Sequence, residues 1–158
     1  MELIDIIPEF NLYEEFWKIY TKGDIIPPQY ISQEAVIGKS LIGEGSEIHG
    51  EVQNSVIGPN VYMGPGTVVK DSVIMRNTSI GRNATVDKSI VAESVKIGNN
   101  VTLGAGEEAE NVAKPKVYSF GLVTIGENSY IPPNVKIGKN TAISGDTTPD
   151  DYREGVLG

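Results

Sequence analysis

Aliphatic side chains recur along this chain at steps of six. Ile57, Met63 and Val69 form one set, Ile74, Ile80 and Val86 the next, Val91, Ile97 and Leu103 a third, and Ile125, Ile131, Ile137 and Ile143 a fourth. Between the first three sets the step shortens to five, so one lap takes 17 residues. The tetrads Asn54-Ser55-Val56-Ile57, Asp71-Ser72-Val73-Ile74 and Lys88-Ser89-Ile90-Val91 keep that register, and Lys39-Ser40-Leu41-Ile42 precedes them by 15. A hexad with one inward aliphatic and one corner makes a short strand and a bend, and three such sides close a triangular coil. Stacked coils pair their backbones at about 4.8 Å and satisfy one another's N–H and C=O groups. Each buried Ile, Leu or Val contributes about 1.5–3 kcal/mol, so a single coil is marginal and only the stack is stable. The pattern therefore predicts an all-β, single-stranded parallel β-helix of hexapeptide repeats over residues 34–145.

The corners support this separately. A Gly directly follows the inward residue at 38, 43, 58, 64, 81, 98, 104, 126 and 138, where close packing is expected to leave no room for a Cβ. Two places after five of these stand Asn60, Asn83, Asn100, Asn128 and Asn140. Asn is the residue other than Gly that best accepts a left-handed backbone.

Three segments fall outside the period. Residues 1–33 read as a connector or end cap: Asn11 with Glu14 is a capping box opening a short helix, and Leu12, Phe16, Trp17 and Tyr20 share one face of it. The Trp17 face is expected to pack on the repeat, and the prolines of Ile26-Pro27-Pro28-Gln29-Tyr30-Ile31 impose an extended entry. Between about residues 104 and 124 the repeat lapses for roughly one coil, with Glu107, Glu108 and Glu110 followed by Lys114 and Lys116. That excursion reads either as a solvated loop or as a ligand-binding or interdomain loop. The polar stretch 146–158 reads as a frayed tail.

Composition narrows the function. Against 13 Lys and Arg stand 21 Asp and Glu, a net charge of -8, which gives no electrostatic case for nucleic acid or an anionic membrane surface. The absence of Cys removes disulfides, thiol nucleophiles and Cys-ligated zinc, and suits a reducing cytoplasm. No apolar run approaches the roughly 18–20 residues that cross a bilayer, and the acidic N-terminus lacks the basic region of a signal peptide. The single His, His49, cannot supply a multi-histidine zinc site. It stands one place after an inward aliphatic and reads as an exposed corner residue with no partner acid recognisable beside it. Arg76, Arg82 and Lys88 fall at successive sixes, hence on three faces, and are weak candidates for binding an anionic effector. Their plainer reading is pairing between coils, Arg76 over Glu93 and Asp71 over Lys88, worth at most about 1 kcal/mol each. No nucleophile elbow, phosphate loop or metal cluster occurs.

The segments Asn11-Leu12-Tyr13, Trp17-Lys18-Ile19-Tyr20-Thr21 and Pro27-Pro28-Gln29-Tyr30-Ile31, with the Asn-Ser-Val-Ile and Asp-Ser-Val-Ile-Met coils, resemble the C-terminal region of bacterial glucose-1-phosphate adenylyltransferases over roughly residues 1–143. The resemblance implies a left-handed β-helix, a hand that connection rules alone do not favour. It also implies a chain that is catalytically silent by itself. In such enzymes an N-terminal nucleotidyltransferase domain, with Mg²⁺, converts ATP and glucose 1-phosphate to ADP-glucose and pyrophosphate for glycogen synthesis. The β-helix is implied to pack on that domain, to help build a homotetramer in the cytoplasm, and to share in binding a small phosphorylated effector. No cofactor is implied for this chain itself. An inactive paralogous subunit, or the β-helix of a related guanylyl- or uridylyltransferase, would carry the same pattern. An alternative from another class is a self-contained hexapeptide-repeat acyltransferase with acyl-CoA as donor and His49 as base.

Overall fold

The structure, a computed structural model, describes residues 4, 5, 16, 25–152 and 156–157. The capping box at Asn11 and Glu14 and the Trp17 face lie outside the described residues. The strands are two to four residues long because a corner follows within a few residues on each side of a coil. Every pairing is parallel and joins a strand to its counterpart one lap on.

Three sheets result. The first stacks β1 (Tyr30–Ile31), β4 (Glu47–Ile48), β7 (Tyr62–Met63), β10 (Ser79–Ile80), β13 (Lys96–Ile97) and β16 (Tyr130–Ile131). The second stacks β2 (Val36–Gly38), β5 (Glu51–Gln53), β8 (Val68–Lys70), β11 (Thr85–Asp87), β14 (Thr102–Ala105), β17 (Lys136–Gly138) and β19 (Val156–Leu157). The third stacks β3 (Leu41–Ile42), β6 (Val56–Ile57), β9 (Val73–Ile74), β12 (Ser89–Val91), β15 (Val123–Ile125) and β18 (Ala142–Ile143). Together they enclose a β-solenoid of about 7 turns.

All the aliphatics of the six-residue steps from Ile57 to Ile143 are buried, most of them completely, and form one continuous core. A second inward position lies two residues before each, where small side chains turn the corner: Val61, Thr67, Ser72, Thr78, Ala84, Ser89, Val95 and Val101 are all buried. Alternate residues of an extended segment share a face, so each side of a coil turns both inward, the first of them usually just ahead of the strand. The five corner asparagines take positive φ, between 54° at Asn83 and 58° at Asn100. A Cβ on Gly81 would lie 2.7 Å from backbone atoms of the next coil, as expected, whereas one on Gly38 would meet only Gln53 Cγ at 3.7 Å. Gly38 therefore departs from the expectation: the end coil leaves it room.

Serines link the coils at one corner. Ser55 Oγ donates to Gln53 O at 2.6 Å and accepts from Ser72 N at 3.2 Å. Ser72 Oγ donates to Lys70 O at 2.6 Å and accepts from Ser89 N at 3.0 Å. The residues just before them, Asn54, Asp71 and Lys88, all have positive φ.

Two expectations differ from the structure. The coil-to-coil pairs Arg76–Glu93 and Asp71–Lys88 do not form; ion pairs among the described residues are Lys39–Asp5, His49–Glu47 and Lys70–Glu51. Asp71 instead accepts from the Asn54 amide. The described residues after Gly145 are held rather than frayed. Thr147 N and Oγ1 both donate to Tyr130 O, at 3.1 and 2.8 Å, and the ring of Tyr152, 7% exposed, covers the coil end while its hydroxyl donates to Thr147. Val156–Leu157 then pairs with Lys136–Ile137.

Candidate functional site

His49 owes its position to a short corner. Only His49 and Gly50 separate β4 from β5, whereas four residues separate Met63 from Val68 one coil on. This is why the Lys39 tetrad precedes the next by 15 residues rather than 17. The tight bend requires Gly50, since a Cβ there would sit 2.1 Å from the Thr67 carbonyl oxygen. His49 N donates to Met63 O at 3.0 Å, which fixes the backbone. The imidazole is half-buried between two tyrosines, its centroid 5.7 Å from that of Tyr30 and 6.0 Å from that of Tyr62. Nε2 lies 2.6 Å from Glu47 Oε1.

The acid that the sequence did not reveal beside His49 is thus Glu47. The i, i+2 spacing was the available signal, since both side chains point out from the same edge of the first sheet. An imidazole oriented by a carboxylate is one half of a general-base arrangement. It acquires a role only where a substrate is brought to it.

The three cations are not brought together. Arg76 follows β9, Arg82 follows β10 and Lys88 separates β11 from β12, so each occupies a different corner of one lap, exposed. Among the described residues no group of three or more His, Asp or Glu converges to hold a metal ion. The donor set of the described residues therefore does not fit a Mg²⁺ site.

The excursion emerges as a second candidate. Strands β12 and β15 pair directly across it, so residues 106–122 are extruded from the stack. Asn111 Oδ1 accepts from Ala113 N at 3.1 Å and Lys114 N at 2.8 Å, and Lys114 O accepts from Val117 N and Tyr118 N, both at 3.0 Å. Asn140, 4% exposed, clasps the whole loop. Its Oδ1 accepts from Gly121 N at 2.7 Å, its Nδ2 donates to Ala109 O at 2.7 Å, and its own carbonyl accepts from Asn111 Nδ2 at 2.8 Å. The sequence assigns Asn140 only a corner role; nothing in the repeat marks it as an anchor.

A coil of hexads, glycine corners and outward polar faces defines a hexapeptide-repeat protein. A family profile described as "GlmU-like, C-terminal hexapeptide" matches residues 28–125, and the chain belongs to that family. The chain is 70% identical over 157 residues to a glucose-1-phosphate adenylyltransferase of Lachnospira eligens, covering 99% of this chain and 37% of that protein. It is 52% identical over 153 residues to that of Thermotoga neapolitana, covering 97% and 36%. At 40% identity over 152 residues it matches that of Acetivibrio thermocellus, covering 96% and 36%. The chain thus spans a little over a third of the length of these relatives and corresponds to their C-terminal part. A putative acetyltransferase from Desulfovibrio desulfuricans superposes with TM-score 0.59 at 16% identity, over 77% of this chain and 27% of that one. At that identity the likeness shows the fold alone.

Proposed function

We propose that this chain is the non-catalytic assembly and regulatory β-helix of a glucose-1-phosphate adenylyltransferase, which joins ATP and glucose 1-phosphate into ADP-glucose and pyrophosphate for glycogen synthesis. The observation that carries this reading is the 70% identity over 157 residues to a protein of that name, of which the chain covers only 37%. The described residues support it, because they are committed to making a coil: apolar interior, small corners, outward polar faces. On this reading the nucleotide chemistry and its Mg²⁺ belong to an N-terminal nucleotidyltransferase domain, and the β-helix packs on that domain and on other copies in a cytoplasmic homotetramer. Arg76, Arg82 and Lys88 are the candidate contacts for a phosphorylated effector. Since one lap offers one cation per corner, such a site needs a second chain or domain to complete it.

The acyltransferase alternative is not favoured, since the relatives with high identity carry the adenylyltransferase name. The experiment that separates the two assays the purified chain for pyrophosphate release from ATP and glucose 1-phosphate, and for thiol release from acetyl-CoA. Silence in both is expected, with pyrophosphate release appearing once the preceding domain is present. Acetyl transfer abolished by His49→Ala overturns the reading.

A further inference from the structure

Phe120 combines two features that no other described side chain combines. It is a large apolar group 82% exposed to solvent, and its backbone φ is 65°, in the left-handed region that favours Gly and Asn. It sits in a turn closed by Leu122 N donating to Ser119 O at 3.3 Å, with Gly121 also at positive φ. Central residues of such turns are ordinarily Gly, Asn or Asp. A strained backbone that holds a phenyl ring in water calls for a use. The clasp by Asn140 removes the alternative that this loop is loose chain.

We propose that the clasped loop 106–122 is a self-docking surface, on which a second copy of this chain binds about a two-fold axis with each Phe120 seated in the other's depression. Beside Asn140 lies an open depression in which Ala109, Pro115 and Tyr118 give apolar surface and Glu108, Glu110 and Ser119 the polar remainder. Knob and hollow are therefore neighbours on one loop, the arrangement an isologous contact needs. Val112 and Val117, 94% and 66% exposed, extend the apolar area around them.

Charge selects the occupant. The loop carries an acidic arm, Glu107, Glu108 and Glu110, and a basic arm, Lys114 and Lys116. A two-fold axis lays the acidic arm of one copy against the basic arm of the other. Elsewhere a chain of net charge -8 repels its own copy. The proposal deepens the assembly role stated above and rests on that reading only for its purpose.

Sedimentation velocity of the purified chain from about 1 to about 100 µM tests it. A concentration-dependent species of twice the 17.0 kDa chain mass is expected. Phe120→Asn, which suits the positive φ and deletes the ring, weakens that dimer by about tenfold or more. Glu107→Lys with Glu110→Lys, and separately Lys114→Glu with Lys116→Glu, each abolish self-association, yet the two charge-reversed chains bind one another. This cross-pairing decides the matter even if Phe120→Asn does not fold. A wild-type chain that stays monomeric overturns the proposal. So does a dimer that ignores both sets of substitutions, or an effect of the loop seen only with the preceding domain present. Failure of pyrophosphate release in the longer polypeptide would instead remove the adenylyltransferase reading and leave the dimer result standing.

Discussion

Replacing Ser72 with Ala tests how the coils are joined. Ser72 is 1% exposed, and its hydroxyl both donates to Lys70 O and accepts from Ser89 N. Alanine leaves Lys70 O with the N–H of Lys88 at 3.2 Å, but it strips Ser89 N of the acceptor that Ser72 provides, inside the stack. An orphaned buried N–H costs about 1–3 kcal/mol. Ser89 is equally buried and occupies the same tetrad position, yet its hydroxyl only donates, to Asp87 O at 2.8 Å. One coil further the position belongs to Val123, whose N–H goes to Lys88 O at 3.0 Å. Ser89→Ala thus orphans no N–H and costs only about 0.5–1 kcal/mol. Urea unfolding followed by far-ultraviolet circular dichroism reads both variants as midpoint shifts at constant slope. Equal losses, or a larger loss for Ser89→Ala, would refute the ladder as an energetic element.

Other perturbations have equally definite outcomes. Gly81→Ala places a methyl 2.7 Å from the backbone of the next coil and costs about 3 kcal/mol, while Gly38→Ala, with its nearest contact at 3.7 Å, changes stability by less than about 0.5 kcal/mol; parallel urea melts compare them. Lys88 holds φ 43° without being Gly or Asn, so Lys88→Asn stabilises by about 0.5–1 kcal/mol and raises the thermal midpoint by a few degrees in calorimetry. The backbone N–H and hydroxyl of Thr148 hold the Asp151 carboxyl below its ordinary value. A carboxyl depressed in the folded state contributes stability above the ordinary carboxylate range and loses it as pH falls through that range. The Pro149–Tyr152 turn should therefore loosen in amide exchange below about pH 4, and Asp151→Asn should remove that pH dependence.

Much of the coil is legible in the amino-acid order, because one inward aliphatic per hexad and the Gly-x-Asn corners are both periodic and chemically necessary. The buried set from Ile57 to Ile143 and the left-handed asparagines follow from those two facts alone. The serines of the tetrads are visible as a recurrence, but their meaning is not. A hydroxyl that links one coil to the next is a contact between residues 17 apart, and spacing alone does not say which atom meets which.

The surface is less legible. Glu47 meets His49 through the way two side chains two positions apart turn, and Asn140 clasps a loop some thirty positions upstream. The expected ion pairs fail for the same reason: stacking places Cα atoms in register, while each corner decides where a side chain turns. Tyr152 shows the limit of polarity as a guide to order, since this buried aromatic closely follows the polar run Asp146-Thr147-Thr148.

The measurement that bears most directly on the assembly reading compares two forms of the longer polypeptide, one with this region and one without it, by sedimentation and by pyrophosphate release. A tetramer that falls to smaller species when the β-helix is removed is expected, with the nucleotide chemistry residing in what remains. An unchanged tetramer, or turnover of ATP and glucose 1-phosphate by this chain alone, would contradict it.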